Sequence, residues 1–155
     1  IDVGAVINGF HGDAARTFLI GNVAPETKKL VEVTKECFFK GAAAFKEGNR
    51  ISDIGKAVQG YAESFGYGVV REMIGHGIGR KMHEDPEVPN YFTGRRGERL
   101  ETGMALAIEP MITLGSPAIF EAENGWTVVT CDGKPAAHYE NTTILTKNGL
   151  EILTL

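Results

Sequence analysis

The dipeptide Asn8-Gly9, between two runs rich in β-forming residues, constrains the fold of this chain more than any other short feature. Asn-Gly is the strongest short signal for a two-residue hairpin turn, because both turn positions need a positive φ. It predicts a hairpin over residues 2–19 in which Gly4 pairs with Asp13. Asp2 then shares a face with Asp13, at a diagonal distance of about 7 to 8 Å.

Two like charges at this distance repel each other, and the ribbon around Asp2 and Asp13 is otherwise apolar, with no adjacent Lys or Arg. A bound cation would remove the repulsion. Two ordinary solvated aspartates on an exposed hairpin face are the alternative interpretation.

Beyond the hairpin, the apolar residues recur at steps of three and four instead of two. This period predicts a helix over residues 25–48, then a second helix with Ser52 as its N-cap and Gly66 at its end. Short β-rich runs follow, interrupted by a long loop over residues 84–103. The order predicts one α+β domain over residues 1–155.

Composition excludes several classes of protein. With 16 Lys and Arg against 20 Asp and Glu, the net charge is −4, so bulk charge does not hold the chain on nucleic acid or anionic lipid. No apolar run approaches the roughly 18 residues that span a bilayer. Two cysteines make no disulfide framework, and we expect a cytoplasmic protein with neither membrane nor specific nucleic acid among its partners.

Two glutamates lie within apolar, β-rich runs. Glu109 is inside a strand predicted over residues 104–114, and Glu140 is inside one predicted over residues 136–146. An unpaired buried charge costs several kcal/mol or becomes protonated, so each carboxylate needs a partner. An ordinary ion pair or a half-exposed strand position is the alternative for each.

His76 is flanked by glycines, which expose its ring, and His83 follows seven residues later. Taken alone, a loop histidine is usually a solvated side chain. Combined with four isolated carboxylates, one exposed imidazole makes a set of hard oxygen donors with a single nitrogen. Such a set suits two divalent ions, Mn, Fe, Co or Zn, that share bridging carboxylates.

The motifs that contain these residues resemble those of the methionine aminopeptidases, type I, across essentially the whole chain. The matching runs are Asp2-Val3, His11-Gly12-Asp13, Gly75-His76-Gly77-Ile78-Gly79, His83-Glu84-Asp85-Pro86, Ile108-Glu109-Pro110-Met111, Gly125-Trp126-Thr127 and Tyr139-Glu140-Asn141-Thr142.

This resemblance implies the pita-bread α+β fold and a dinuclear metal site. It makes Asp2, Asp13, His76, Glu109 and Glu140 the ligands, with Asp13 and Glu140 bridging the two ions.

The implied activity is removal of the N-terminal methionine from peptides and nascent proteins by a water or hydroxide between the two ions. Glu109 is then the proton shuttle and His83 contacts the substrate amide and its tetrahedral intermediate. Met82 and Trp126 line the methionine pocket. Nascent chains, and with them the ribosome, are the expected partners.

The family's earlier part, roughly its first hundred residues, has no counterpart in this chain. We expect a longer native protein whose N-terminal half-domain is missing here, and an isolated chain of uncertain activity. Three alternatives stay open: a proline-specific peptidase of the same fold, a non-catalytic member that binds peptides, proteins or RNA, and an inert fragment of a true enzyme.

Overall fold

The computed structural model describes all 155 residues, which form twelve short strands and two helices. The strands are β1 (Asp2–Ile7), β2 (Phe10–Ala15), β3 (Gly68–Val69), β4 (Gly75–Gly77), β5 (Glu84–Val88), β6 (Ala105–Ile108), β7 (Met111–Thr113), β8 (Ile119–Glu121), β9 (Val128–Thr130), β10 (Ala136–His138), β11 (Asn141–Thr146) and β12 (Gly149–Ile152). The helices are α1 (Pro25–Ala44) and α2 (Ile51–Glu63).

β1 and β2 form the predicted hairpin in the predicted register. Gly4 pairs with Asp13, and the turn residues Asn8-Gly9 have φ values of 53° and 78°. The prediction that the second strand reaches residue 19 is wrong. β2 ends at Ala15, and the next residue, Arg16, still exchanges backbone hydrogen bonds with Ile1 while it forms an isolated bridge with Tyr139 on its other side.

Both helices are confirmed, with shifted ends. α1 ends at Ala44 instead of residue 48. The N-cap of α2 is Arg50, not Ser52, and the Asp53 carboxylate accepts a hydrogen bond of 2.9 Å from the Arg50 N–H. Because that acidic side chain satisfies the free amide from inside the first turn, the helix begins two residues earlier than the serine predicts.

The apolar faces of the helices form the main core with the sheet beneath them. Phe38 of α1, Phe45 just after α1 and Ile54 of α2 are fully buried in one cluster with Leu106 and Ile108 of β6. Their burial holds β6 in place, and the residue that directly follows β6 is Glu109.

Two antiparallel sheets position that glutamate and its counterpart. One sheet has the order β12-β11-β6-β4-β5 and the other β10-β7-β3. The predicted strands 104–114 and 136–146 each break in the middle and change sheet, the first at Glu109-Pro110 and the second at Tyr139-Glu140. Proline has no N–H to donate to a ladder, which accounts for the first break.

The loop predicted over residues 84–103 is wrong at its start, because β5 occupies residues 84–88 and pairs with β4 at the edge of the larger sheet. Neither helix has the combination of length and apolar character needed to cross a membrane.

Candidate metal centre

Three side chains from distant parts of the chain meet around a space suited to a metal ion. Asp13 of β2, His76 of β4 and Glu140, between β10 and β11, each place a ligand atom so that the three atoms lie within 4.8 Å of one another. Asp13 and Glu140 are buried, and the His76 side chain is 12% exposed.

Glu109 joins this group through the pairing of β4 with β6. His76 lies opposite Ala107, two residues before Glu109, so both side chains point to the same face of the sheet. The Glu109 Oε1 atom is 3.6 Å from the His76 Nε2 atom, and the Asp13 Oδ2 atom is 4.0 Å from the same nitrogen.

The carboxylates perturb one another strongly. Burial, followed by the charges of Asp13 and Asp2, raises the pKa of Glu109 to about 8. Burial, followed by the charges of Glu109, Asp13 and Asp2, raises the pKa of Glu140 to about 9. Burial and the nearby Asp2 carboxylate also raise the pKa of Asp13. The four predicted carboxylate ligands therefore form one cluster of mutually repelling groups, and the predicted histidine ligand lies among them.

Two neighbours hold the backbone of this cluster in place. The Thr142 hydroxyl accepts a hydrogen bond of 2.7 Å from the Asp13 N–H and donates one of 3.0 Å to the Asp13 carbonyl. The Arg16 guanidinium donates to the Glu140 carbonyl and, at 2.6 Å, to the Asn141 side chain. Sequence reasoning missed Thr142 and Arg16, because no spacing rule links residues more than a hundred positions apart.

His83 lies beside the cluster on the loop after β4. Its ring centroid is 4.4 Å from that of His76, at an interplanar angle of 68°. Both rings border an open cavity of about 570 Å³ with no hydrophobic lining. A larger cavity, about 630 Å³, shares Asp85 and Glu87 with it but contains none of the predicted metal ligands.

The two residues predicted to line a methionine pocket lie in different places. Met82 is half-buried, and its methyl group lies so close to Gly4 that a Cβ atom there would collide with it. Trp126 lies in the turn between β8 and β9 and is 78% exposed. The structure thus places Met82 against Gly4 of the hairpin that bears Asp13, and the pocket role of both residues stays a prediction.

His138 ends β10 next to the cluster. Its Nε2 atom is 4.0 Å from the Glu109 Oε2 atom and is buried without a hydrogen-bond partner. Burial lowers the pKa of His138, which favours the neutral ring.

The donor set fits divalent cations. Four carboxylates and one imidazole converge here, and the nearest basic side chain, Arg16, directs its hydrogen bonds to carbonyl and amide oxygens. Hard oxygen donors with imidazole suit Mn, Fe, Co or Zn. Burial and mutual repulsion raise the pKa values of the two glutamates, and a bound cation would relieve that repulsion.

The chain is similar to proteins named methionine aminopeptidase. It is 58% identical to that of Clostridium acetobutylicum over all 155 residues, which cover 62% of the relative. It is 49% identical to methionine aminopeptidase 1 of Bacillus subtilis, covering 99% of this chain and 62% of the relative. The chain thus spans about three fifths of the length of these curated relatives.

Solved structures show the same similarity at the level of the fold. The methionine aminopeptidase of Thermotoga maritima superposes with a TM-score of 0.95 at 47% identity, covering 99% of this chain and 61% of that one. A prolidase from Pyrococcus furiosus gives a TM-score of 0.77 at 24% identity over 99% of this chain and 40% of the other, a likeness of fold alone. These neighbours confirm the predicted α+β pita-bread fold and the resemblance to methionine aminopeptidases.

The family model described as metallopeptidase family M24 matches residues 1–147. This match spans the hairpin, both helices and every strand that bears a predicted ligand. The chain therefore belongs to metallopeptidase family M24.

Proposed function

We propose that this protein is a metal-dependent aminopeptidase that removes methionine from the N-terminus of peptides and nascent proteins. The observation that carries the proposal is the convergence of Asp13, His76 and Glu140 within 4.8 Å, with Glu109 and His83 beside them. High identity to proteins named methionine aminopeptidase supports the choice of substrate.

The ligands of two divalent ions are proposed to be Asp2, Asp13, His76, Glu109 and Glu140. Asp13 and Glu140, which are buried among the other donors, are the proposed bridging carboxylates. Such ions, when bound, supply Lewis acidity and make water a stronger acid and nucleophile at neutral pH. Mn, Fe, Co and Zn all suit this donor set.

Glu109 is the proposed proton carrier. Its carboxyl group is buried next to His76, with the Glu109 Oε1 atom 3.6 Å from the His76 Nε2 atom. A carboxylate held within hydrogen-bond reach of a reacting water is positioned for general acid–base catalysis. Glu109 therefore accepts the proton of the attacking water and delivers it to the departing amine.

His83 is the proposed hydrogen-bond donor to the oxygen that gains charge during attack on the peptide carbonyl. It is exposed, lines the open cavity and touches the His76 ring edge to face. A donor placed beside developing negative charge stabilises the transition state more than the ground state.

The substrate side chain is proposed to lie against Met82 and Trp126. Apolar contacts alone separate similar side chains by only about 1 to 3 kcal/mol per methylene. Selection of methionine therefore also requires a pocket of matching shape. Nascent chains in the cytoplasm, where they leave the ribosome, are the proposed substrates.

Mass spectrometry of two peptides tests the proposal, one beginning Met-Gly and the other Ala-Pro. With Mn²⁺ or Co²⁺ we expect loss of methionine from the first peptide, no cleavage of the second, and complete inhibition by EDTA. Cleavage of the Ala-Pro peptide alone would favour a proline-specific peptidase. An intact Met-Gly peptide in the presence of protein shown by calorimetry to hold metal would refute the proposal.

A further inference from the structure

The imidazole of His138 has an unpaired ring nitrogen at the edge of the metal centre. Its Nε2 atom is buried and has no hydrogen-bond partner. Leaving a buried polar atom unpaired costs free energy, so such an atom usually gains a hydrogen-bond partner in another state of the protein.

The backbone of His138 is held firmly. Its N–H donates to the Thr17 hydroxyl at 2.9 Å, and that hydroxyl donates to the His138 carbonyl at 3.0 Å. Within the smaller sheet, His138 pairs with Met111 of β7, which lies two residues after Glu109. The ring is therefore anchored from two sides next to the Glu109 carboxylate.

The two oxygens of that carboxylate face different histidines. Oε1 of Glu109 is 3.6 Å from Nε2 of His76, whereas Oε2 is 4.0 Å from Nε2 of His138. We propose that His138 is a positioning residue, which donates a hydrogen bond from Nε2 to Oε2 of Glu109 and so directs Oε1 toward the metal. This inference rests on the metal centre of the proposed function.

The geometry and the chemistry agree with this role. A neutral imidazole carries one N–H, and a metal-ligating carboxylate is normally held by a hydrogen bond to its other oxygen. The gap must close by about 1 Å to reach hydrogen-bond length. When Oε1 binds a cation, rotation of the Glu109 side chain can bring Oε2 to hydrogen-bond distance from His138 Nε2. The same hydrogen bond gives the buried Nε2 atom its partner.

Calorimetric titration of metal-free protein with Mn²⁺ tests the role with two variants. His138→Leu removes the donor, and we expect Mn²⁺ affinity to fall about 10- to 100-fold. His138→Gln places an amide N–H near the position of Nε2, so we expect affinity within about 3-fold of the wild type. Equal affinity in the wild type and His138→Leu, or equal loss in both variants, would overturn the proposal.

A second measurement needs no variant and no turnover. In the Zn²⁺-loaded wild-type protein, ¹⁵N NMR of the histidine rings should show His138 as the neutral tautomer with its proton on Nε2. An Nε2 atom that lacks a proton, or that ligates zinc, would contradict the donor role. Calorimetry measures metal binding and NMR measures ring protonation. A negative result in either experiment is therefore distinguishable from a failure to release methionine.

Discussion

Glu109 and Glu140 face each other at the point where two paired segments change sheet together. On one side of this point Ile108 pairs with Asn141 in the larger sheet, and on the other Met111 pairs with His138 in the smaller sheet. The two carboxyl groups therefore lie at a shared break between the two sheets. Regular strand geometry does not constrain the backbone there, so both side chains can point into the carboxylate cluster.

The first prediction concerns the pH dependence of stability without metal. The pKa values of Glu109 and Glu140, about 8 and 9, lie above the value of 4.5 that a glutamate has in the unfolded chain, so the folded protein binds more protons between these pH values. The free energy of unfolding should thus fall as pH rises from about 5 to 9, by at most about 1.4 kcal/mol per pH unit for each group.

Thermal unfolding in EDTA at pH 5, 7 and 9 measures this effect. Saturating Mn²⁺ should restore the stability lost at high pH, because the cation replaces the missing protons. Equal melting temperatures across the series, with and without Mn²⁺, would show that the carboxylates do not interact as described.

The second prediction separates metal binding from folding at Glu140. Glu140→Gln removes a proposed bridging carboxylate, so Mn²⁺ binding and peptide hydrolysis should be lost. The metal-free variant should nevertheless be more stable than the wild type at pH 8, because a neutral amide replaces a buried carboxyl group that deprotonates with rising pH. Glu151→Gln, at an exposed position of β12, is the matched control and should change neither property.

The third prediction concerns His83. His83→Ala should lower kcat about 10²- to 10³-fold, the usual effect of losing one donor to a developing oxyanion. Mn²⁺ affinity measured by calorimetry should stay unchanged, because the ring is not among the proposed ligands. A comparable loss of metal affinity would instead make His83 part of the metal centre.

The fourth prediction compares two glycines of α2. A Cβ atom at Gly55 would meet the Tyr91 carbonyl oxygen at 2.5 Å and the Pro89 carbonyl oxygen at 2.7 Å, whereas nothing lies within 4 Å of one at Gly60. Gly60→Ala should stabilise the protein by up to about 1 kcal/mol through helix propensity. Gly55→Ala should destabilise it, since rigid backbone must move, and urea unfolding of both variants measures the difference.

The fifth prediction concerns the two thiols. Burial raises the pKa of Cys37 to about 12, and Cys37 lies in the core beside Val58, whereas Cys131 is exposed. Because the thiolate is the reactive form, a chromogenic disulfide reagent should label one thiol rapidly in native protein and both in urea. Cys131→Ser should abolish the rapid phase, and persistence of that phase would mean that Cys37 becomes accessible in the native protein.

Much of the fold and of the site could be predicted from local patterns. Asn8-Gly9 was enough to predict the register that places Asp2 and Asp13 together, because a two-residue turn determines which residues of the two hairpin strands pair with each other. Isolated carboxylates in apolar strands pointed to Glu109 and Glu140, because such charges need a partner.

The remainder depends on contacts that no local pattern encodes. The breaks at Glu109 and Glu140 arise where two sheets meet, and alternating apolar residues on both sides look like one continuous strand. Thr142 and His138 become site residues only through pairing across the sheets. Whether Trp126 borders a substrate pocket is likewise not decided by its position in a turn.

The break that Glu109 and Glu140 share has a kinetic consequence. The proposed ligands come from the hairpin, from β4 and from both sheet junctions, so they assemble only after the hairpin has docked on residues more than a hundred positions away, through the bridge of Arg16 with Tyr139 and the hydrogen bond of Thr142 to Asp13. Contacts of such long sequence separation form late in folding. Tight metal uptake should therefore be among the last events of folding, and the rate at which a refolding chain captures Mn²⁺ should report the completion of its topology.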